Sequence, residues 1–240
     1  MKDLRIALDL ILGGSKLSNE SEDKKVIKSD DISVIFLSTH NYKDYQEQLE
    51  NFKSKNERIN KVVHARPSII DGKIDEYDNR DTVLLFFVNI DGKDKLIGYV
   101  SFAASSLKDT DLEISIPSVV VNTFAISEQF SKKYYAVLVP YLDDNGREIG
   151  VSELSCASFM LEYLMDSLDD ISTSIGITHV YLYAEPAKGV PEFYKDNDFF
   201  PFTSDIKAFN LVNREYCFIR TLNNARHRKF GLDAEQHHNN

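Results

Sequence analysis

Cysteine is scarce in this chain, long apolar runs are absent, and positive charge is in deficit. The two cysteines, Cys156 and Cys217, sit in apolar surroundings and read as buried thiols; neither belongs to a metal-ligand spacing, so no metal is expected. No apolar run reaches the roughly 18 residues that a bilayer helix needs. Lys and Arg number 28 against 38 Asp and Glu, a formal charge of −10 with pI about 5.1. That balance argues against a nucleic-acid partner, because duplex surfaces are neutralised by Lys and Arg, although it permits a local basic cleft. A Gly-x-x-x-x-Gly-Lys-Ser/Thr loop and a dinucleotide glycine fingerprint are both missing, which weighs against the common phosphate-binding α/β enzymes. There is no internal repeat and no low-complexity tract.

Apolar residues make up 42% of 240 residues, enough for a full core in one generous domain. Met1 to Leu12 carries Lys2, Asp3, Arg5 and Asp9 inside its apolar pattern and reads as an ordinary terminal element, not a signal peptide. A cytoplasmic location without membrane contact is the resulting expectation. Residues 1–31, with the Gly13-Gly14 pair and a mixed charge run, form a terminal element and mobile connector; 32–226 form the domain; 227–240 read as a flexible tail.

Inside the domain the period changes repeatedly. Ile32 to Leu37 is β-rich, and Asn41 is placed to cap a helix running to about Lys55 through Tyr45, Leu49 and Phe52. Lys55 to Asp81, with His64 and Arg66 beside Pro67, matches no single pattern. Val83 to Ile90, Leu96 to Ala103, Val119 to Ile126, Tyr134 to Val139, Ile177 to Ala184 and Glu215 to Leu222 read as strands, with an Asp91-Gly92 hairpin turn. Val190 to Asn197 reads as a short helix. These elements predict an α/β (α+β) fold: a mixed, largely antiparallel central sheet flanked by helices.

Asp143 to Leu168 carries the first chemical signal. Asp143-Asp144-Asn145-Gly146 is a turn, and Leu154, Ala157, Leu161, Leu164, Met165 and Leu168 then recur at helical spacing. A helix from about Ser152 aims unpaired N–H groups and its dipole at whatever precedes it. Gly150 there would let a phosphate approach the backbone, with Arg147 adding a charge-assisted contact; the alternative is an ordinary loop and a core helix.

Three stretches together resemble the GNAT superfamily of acyl-CoA-dependent acyltransferases, over roughly Val83 to Leu222. Arg147-Glu148-Ile149-Gly150-Val151-Ser152 looks like the Arg/Gln-x-x-Gly-x-Gly/Ala signature, with serine at the last position. Val190-Pro191-Glu192-Phe193-Tyr194-Lys195-Asp196-Asn197-Asp198-Phe199 resembles the late Ala-x-x-Phe-Tyr-x-x-x-Gly-Phe helix, with Asp198 where glycine is usual. Leu96-Ile97-Gly98 resembles the third strand. The spacing before Arg147 disagrees with the family. With Phe124-Ala125-Ile126 on the strand before the pyrophosphate loop, a hairpin or flap must be inserted; the other option makes Tyr134 to Val139 that strand.

The resemblance implies an enzyme that passes an acyl group, acetyl first, from coenzyme A to a primary amine by direct attack. Acetyl-CoA or another acyl-CoA is then the co-substrate, touched by Phe124, Ile126, Arg147, Ile149, Gly150, Val151 and Ser152. Tyr194 is the general acid toward the leaving sulfur, a phenol that stays protonated at neutral pH. The general base is open: Asn122 and Thr123 occupy the central strand, and Glu113 and Glu128 are the nearest carboxylates. The acceptor reads as a small-molecule or protein amine, and a homodimer stays open. The alternative is a catalytically silent module that binds acyl-CoA or a protein partner.

Overall fold

The computed structural model describes residues 24–72, 81–109, 114–132, 134–142, 146–202 and 216–222. Its main sheet has seven strands: β2 (Ile32–Leu37), β3 (Thr82–Ile90), β4 (Lys93–Asp109), β5 (Ile114–Ile126), β8 (His179–Tyr183), β9 (Phe200–Pro201) and β10 (Cys217–Thr221). Their spatial order is β2-β3-β4-β5-β8-β10-β9, antiparallel throughout except for the parallel pair β5·β8. Three further strands, β1 (Lys25–Lys28), β6 (Tyr135–Leu142) and β7 (Glu148–Leu154), make a separate sheet in the order β1-β6-β7. The mixed sheet flanked by helices is the one expected.

Four helices position these strands: α1 (Gln46–Glu50), α2 (Glu57–Ile70), α3 (Cys156–Ile175) and α4 (Val190–Asp196). Helix α3 covers one sheet face. Its Met160, Leu161, Leu164, Met165 and Leu168 recur at three- and four-residue intervals and pack with Leu84, Phe86, Val100, Val121, Val180 and Leu182. Ser155 caps it, its Oγ accepting from the Ser158 N–H at 3.0 Å. Gly176 ends it in the left-handed conformation at φ 73°, its N–H donating to the Ser172 carbonyl at 2.8 Å. The other face buries Leu49 of α1, Val63 of α2 and Phe52 of the segment between them against Val83, Leu85, Phe87 and Tyr99. With both faces covered, Val83 to Val88 is buried without a break, which is why β3 reads as a continuous apolar run.

Several expectations change. The helix drawn from Asn41 to Lys55 is a 3₁₀ turn at Tyr42–Tyr45 followed by the short α1. The unplaced stretch after Lys55 contains α2, capped by Asn56, whose Oδ1 accepts from the N–H groups of Arg58 and Ile59. Pro67 lies inside that helix, where its missing N–H removes one bond of the ladder. Part of the segment assigned as mobile connector is ordered: β1 pairs in parallel with β6, matching Lys25 to Tyr135 and Lys28 to Leu138.

The largest correction concerns Arg147 to Ser152. These residues precede or form β7, which pairs antiparallel with β6, placing Gly150 opposite Tyr141 and Ser152 opposite Val139. The helix begins at Cys156 and not at Ser152, because Ser155 supplies the cap. The inserted hairpin is therefore real: it consists of β6 and β7, and β5 is the central strand that carries Phe124-Ala125-Ile126. Glu113, Asp143 to Asn145 and the basic run Arg226 to Lys229 lie outside the described residues.

Candidate functional site

The sheet opens at one place. β5 and β8 pair only from Ser118↔His179 to Val121↔Leu182, after which β5 runs on to Ile126 while β8 ends at Tyr183. The parting begins at a bulge: Ser101 faces Thr123 and Phe102 faces Val121, which leaves Asn122 as the extra residue. A bulge bends its strand, and here it turns the outer half of β5 away from β8. The two strands thus pair like a V, joined up to Val121↔Leu182 and without a ladder between the described residues beyond it.

Backbone groups of β5 look into that gap. The Ser127 N–H donates to the Ile97 carbonyl at 2.8 Å, and antiparallel pairing alternates along a strand. Ala125 and Thr123 accordingly bond toward β4, and the N–H and C=O groups of Phe124 and Ile126 point toward the gap. Gly98 allows this close pairing, since a Cβ there would stand 2.5 Å from the Ala125 carbonyl oxygen and 2.5 Å from the Met160 thioether. The Leu96-Ile97-Gly98 pattern has its cause in that approach.

Two chemically different faces meet at the gap. On the α3 face, Phe124 and Ile126 are partly buried, and the Phe124 ring lies 6.0 Å from Phe193 of α4. The adjoining Tyr194 is held in an aromatic cage by Phe193 at 5.1 Å, Phe199 at 5.9 Å and Phe218 at 5.8 Å between centroids. Burial, and then the Glu185 carboxylate, push the Tyr194 phenol well above its ordinary value. Asp198 takes φ 65° just after this helix, so the position where glycine is usual does adopt the left-handed conformation.

On the α2 side the groups next to the bulge are polar. The Asn122 amide donates to the Asp81 carboxylate at 2.9 Å, and the Arg66 guanidinium to the Asp81 backbone carbonyl at 2.9 Å. Burial lifts the Tyr99 phenol to about 12, against the opposing pull of Arg66. Among the described residues, Arg66 Nε and the Tyr99 hydroxyl are buried without a hydrogen-bond partner. The segment between α1 and α2 ties the two arms of the V together. Its Lys53 carbonyl accepts from the Glu128 N–H at 2.8 Å beyond β5, and its Asn56 amide donates to Glu185 beyond β8. A cleft of about 560 Å³ opens beside that segment, lined by Lys53, Lys55, Ser127, Ser131 and Tyr134 among others.

Of the residues named from sequence, Phe124, Ile126 and Tyr194 share one apolar cluster on the α3 face, with Phe193 standing between the Phe124 and Tyr194 rings. Arg147, Ile149 and Val151 lie on the inserted hairpin, with Ile149 71% and Val151 50% exposed. Cys156 and Cys217 are buried thiols raised by burial to about 11 and about 12 respectively. Asn56, Arg66, Asp81 and Glu185 were not singled out, and no local signal could have found them: Asn122 meets Asp81 across 41 positions, and Asn56 meets Glu185 across 129. Among the described residues no group of three or more His, Cys, Asp or Glu is placed to hold a metal, and no helix is long and apolar enough to cross a membrane.

No family model matches this sequence, and no curated protein matches it. Solved structures do. A variant of the AtaT toxin bound to the C-terminus of the antitoxin AtaR and acetyl-CoA aligns at TM-score 0.52 and 16% identity, over 82% of this chain and 97% of that one. The KacTA–DNA complex aligns at 0.54 and 12%, over 81% and 96%. AtaT complexed with acetyl-methionyl-tRNAfMet aligns at 0.53 and 13%, over 82% and 98%. At such identities the likeness establishes the fold alone, and this chain has a GNAT-like α/β fold. The neighbours also correct one expectation. An acidic balance does not argue against a nucleic-acid partner for this architecture, since structures of this fold have been solved with DNA and with tRNA.

Proposed function

We propose that this protein transfers an acetyl group from acetyl-CoA to a primary amine, with the thioester seated in the gap between β5 and β8. The observation that carries this reading is the opening itself: strand pairing stops at Val121↔Leu182 and leaves the backbone of Phe124 and Ile126 facing the space between the arms. An N–H fixed there by the β4 ladder donates to the thioester oxygen as it gains charge, and it needs no reorganisation to do so. Acetyl-CoA in one neighbouring complex supports the choice of donor, and acetyl-methionyl-tRNA in another makes an aminoacyl-tRNA amine the first acceptor to test.

The pyrophosphate belongs at the first turn of α3, behind Ser155, and not in the Gly150 strand. That turn keeps the N–H groups and dipole which suit an anion. Tyr194 acts as general acid toward the leaving sulfur. Its raised pKa keeps the proton on the phenol until the sulfur carries charge, so it begins as a hydrogen-bond donor and completes the transfer late. The neighbouring rings of Phe193 and Phe124 offer the apolar surface against which the thioester would lie.

Calorimetric titration of acetyl-CoA tests the reading. Wild type should bind saturably. Ser155→Asp keeps a competent helix cap but sets a negative charge beside the bound phosphates, and should weaken binding at least about tenfold. Arg147→Glu, on the hairpin, should change it much less. Tyr194→Phe should bind normally and lose about 100-fold or more in turnover. A folded protein that takes up no acyl-CoA would remove the proposal.

A further inference from the structure

We infer that Glu185 is the catalytic base that takes the proton of the attacking amine, an assignment that rests on the acyl-transfer reading above. Glu185 stands two positions beyond Tyr183, at the free end of the β8 arm of the gap. Its side chain is exposed, and its carboxylate accepts from the Asn56 amide at the entrance of α2. Asn56 is fixed in turn, because its Oδ1 is occupied as the cap of α2 by the N–H groups of Arg58 and Ile59. One amide thus orients a carboxylate over the mouth of the V while leaving it open to solvent, which a group that receives an amine proton requires.

Position relative to the acid supports the same role. Tyr194 approaches the gap from the α3 face and Glu185 from the α2 face, and the Glu185 charge contributes to holding the Tyr194 proton in place. The thioester carbon therefore lies between a proton acceptor on one side and a proton donor on the other. The titratable groups around Glu185 include Tyr183 and Lys188 in the same stretch, Lys55, Glu57 and Arg58 beside Asn56, and Tyr194, whose phenol feels the Glu185 charge. Asp81, another carboxylate on the α2 side, already holds Asn122 at the bulge.

The proton count closes. Glu185 takes one proton from the ammonium form of the acceptor, and the neutral amine then attacks the thioester carbon and forms the C–N bond. The C–S bond breaks with its electron pair going to sulfur, which receives the Tyr194 proton. The phenolate recovers the proton that the bonded nitrogen sheds and protonated Glu185 releases its own to solvent, so one proton moves from nitrogen to sulfur, one leaves, and both side chains return to their starting states. No oxidant or metal enters the balance.

The test compares Glu185→Gln, Glu185→Asp and Asn56→Ala in the full chain, with acetyl-CoA as donor and methionyl-tRNA as acceptor, between pH 6.5 and 9. Glu185→Gln should bind acetyl-CoA as wild type does, while kcat/KM for the acceptor falls about 100-fold near pH 7. The deficit should shrink toward pH 9, where the amine arrives deprotonated and needs no base; Glu185→Asp should recover part of the rate. Asn56→Ala should lose less, with a deficit independent of pH. A Glu185→Gln variant within threefold of wild type overturns the assignment, as does a pH-independent loss that Asn56→Ala reproduces, which would mark a purely structural contact. Wild type that binds acetyl-CoA but leaves the aminoacyl amine untouched also overturns it. Failure to bind acetyl-CoA removes instead the reading on which it rests.

Discussion

The Arg220 guanidinium lies 3.1 Å from the Glu162 carboxylate and joins β10 to α3 beneath the cage that holds Tyr194. The same nitrogen donates to the Asn197 carbonyl at 3.0 Å, and the guanidinium sits 6.0 Å over the Phe199 ring. One buried cation, 3% exposed, therefore fixes the end of α4 against both the sheet and α3. Arg220→Ala would leave the Asn197 carbonyl without this donor. Breaking a buried pair costs about 3–5 kcal/mol, but Glu162 is 37% exposed and would rehydrate, so about 2–3 kcal/mol is expected. Urea denaturation measures that loss. Turnover should fall further than acetyl-CoA affinity, because Tyr194 is displaced while the α3 entrance is not.

Gly98 tests the central strands. Adding a methyl group brings it within 2.5 Å of the Ala125 carbonyl oxygen and of the flexible Met160 side chain. Met160 can swing aside, but a ladder carbonyl cannot. Gly98→Ala should destabilise by about 1–3 kcal/mol. Because Ala125 separates Phe124 from Ile126, the variant should also weaken acetyl-CoA binding. Adding Met160→Ala should restore only part of the stability; full restoration would show that Met160, and not the backbone, sets the constraint.

Residues whose role is local were legible in the sequence. The Phe193-Tyr194 pair and the positive φ of Asp198 follow from backbone or packing demands within a few residues, while Gly98 was legible only through the strand pattern, its cause lying in the distant Ala125 and Met160. The α3 stripe was legible because one helix face suffices to encode it. Arg147 to Ser152 misled for the same local reason. A glycine between apolar residues suits a tight phosphate loop and a hairpin strand equally, and only pairing with Tyr141 and Val139 decides between them. Helix α2 was hidden by Pro67, and β1 by its polar composition, since its partner lies more than a hundred positions away in β6. The polar groups on the α2 side likewise meet across long separations, 41 positions for Asn122 and Asp81 and 129 for Asn56 and Glu185.

Leu164 is fully buried at the centre of the α3 face, among the largest continuous set of apolar contacts in the fold. Leu164→Ala removes three carbons and leaves a cavity that the β-sheet cannot collapse to fill. A loss of about 2–5 kcal/mol is expected, read as a lower urea midpoint. A change below about 1 kcal/mol would mean that α3 can slide toward the sheet, and the α3 entrance would then be a poor fixed anchor for an anion.

The buried acids set the behaviour at high pH. Burial raises Cys156 from an ordinary value near 9 to about 11 and Cys217 to about 12, and lifts the Tyr99 phenol from near 10 to about 12. Tyr194 is raised as well. Each group holds its proton more tightly folded than unfolded, so above its unfolded pKa the unfolded chain binds fewer protons. Their stabilising contribution is complete below about pH 9 and is lost as pH rises through the folded values, beginning with Cys156. Urea midpoints should therefore fall steadily from pH 9 to pH 11, and Cys156→Ser or Cys217→Ser should flatten the first part of the fall. The same raised values keep both thiols protonated at pH 8, so an alkylating reagent should label them only after denaturant is added. Rapid labelling of the native protein would show that the sheet opens around β10 or the start of α3, and that opening would undermine the rigid gap on which the acyl-transfer reading depends.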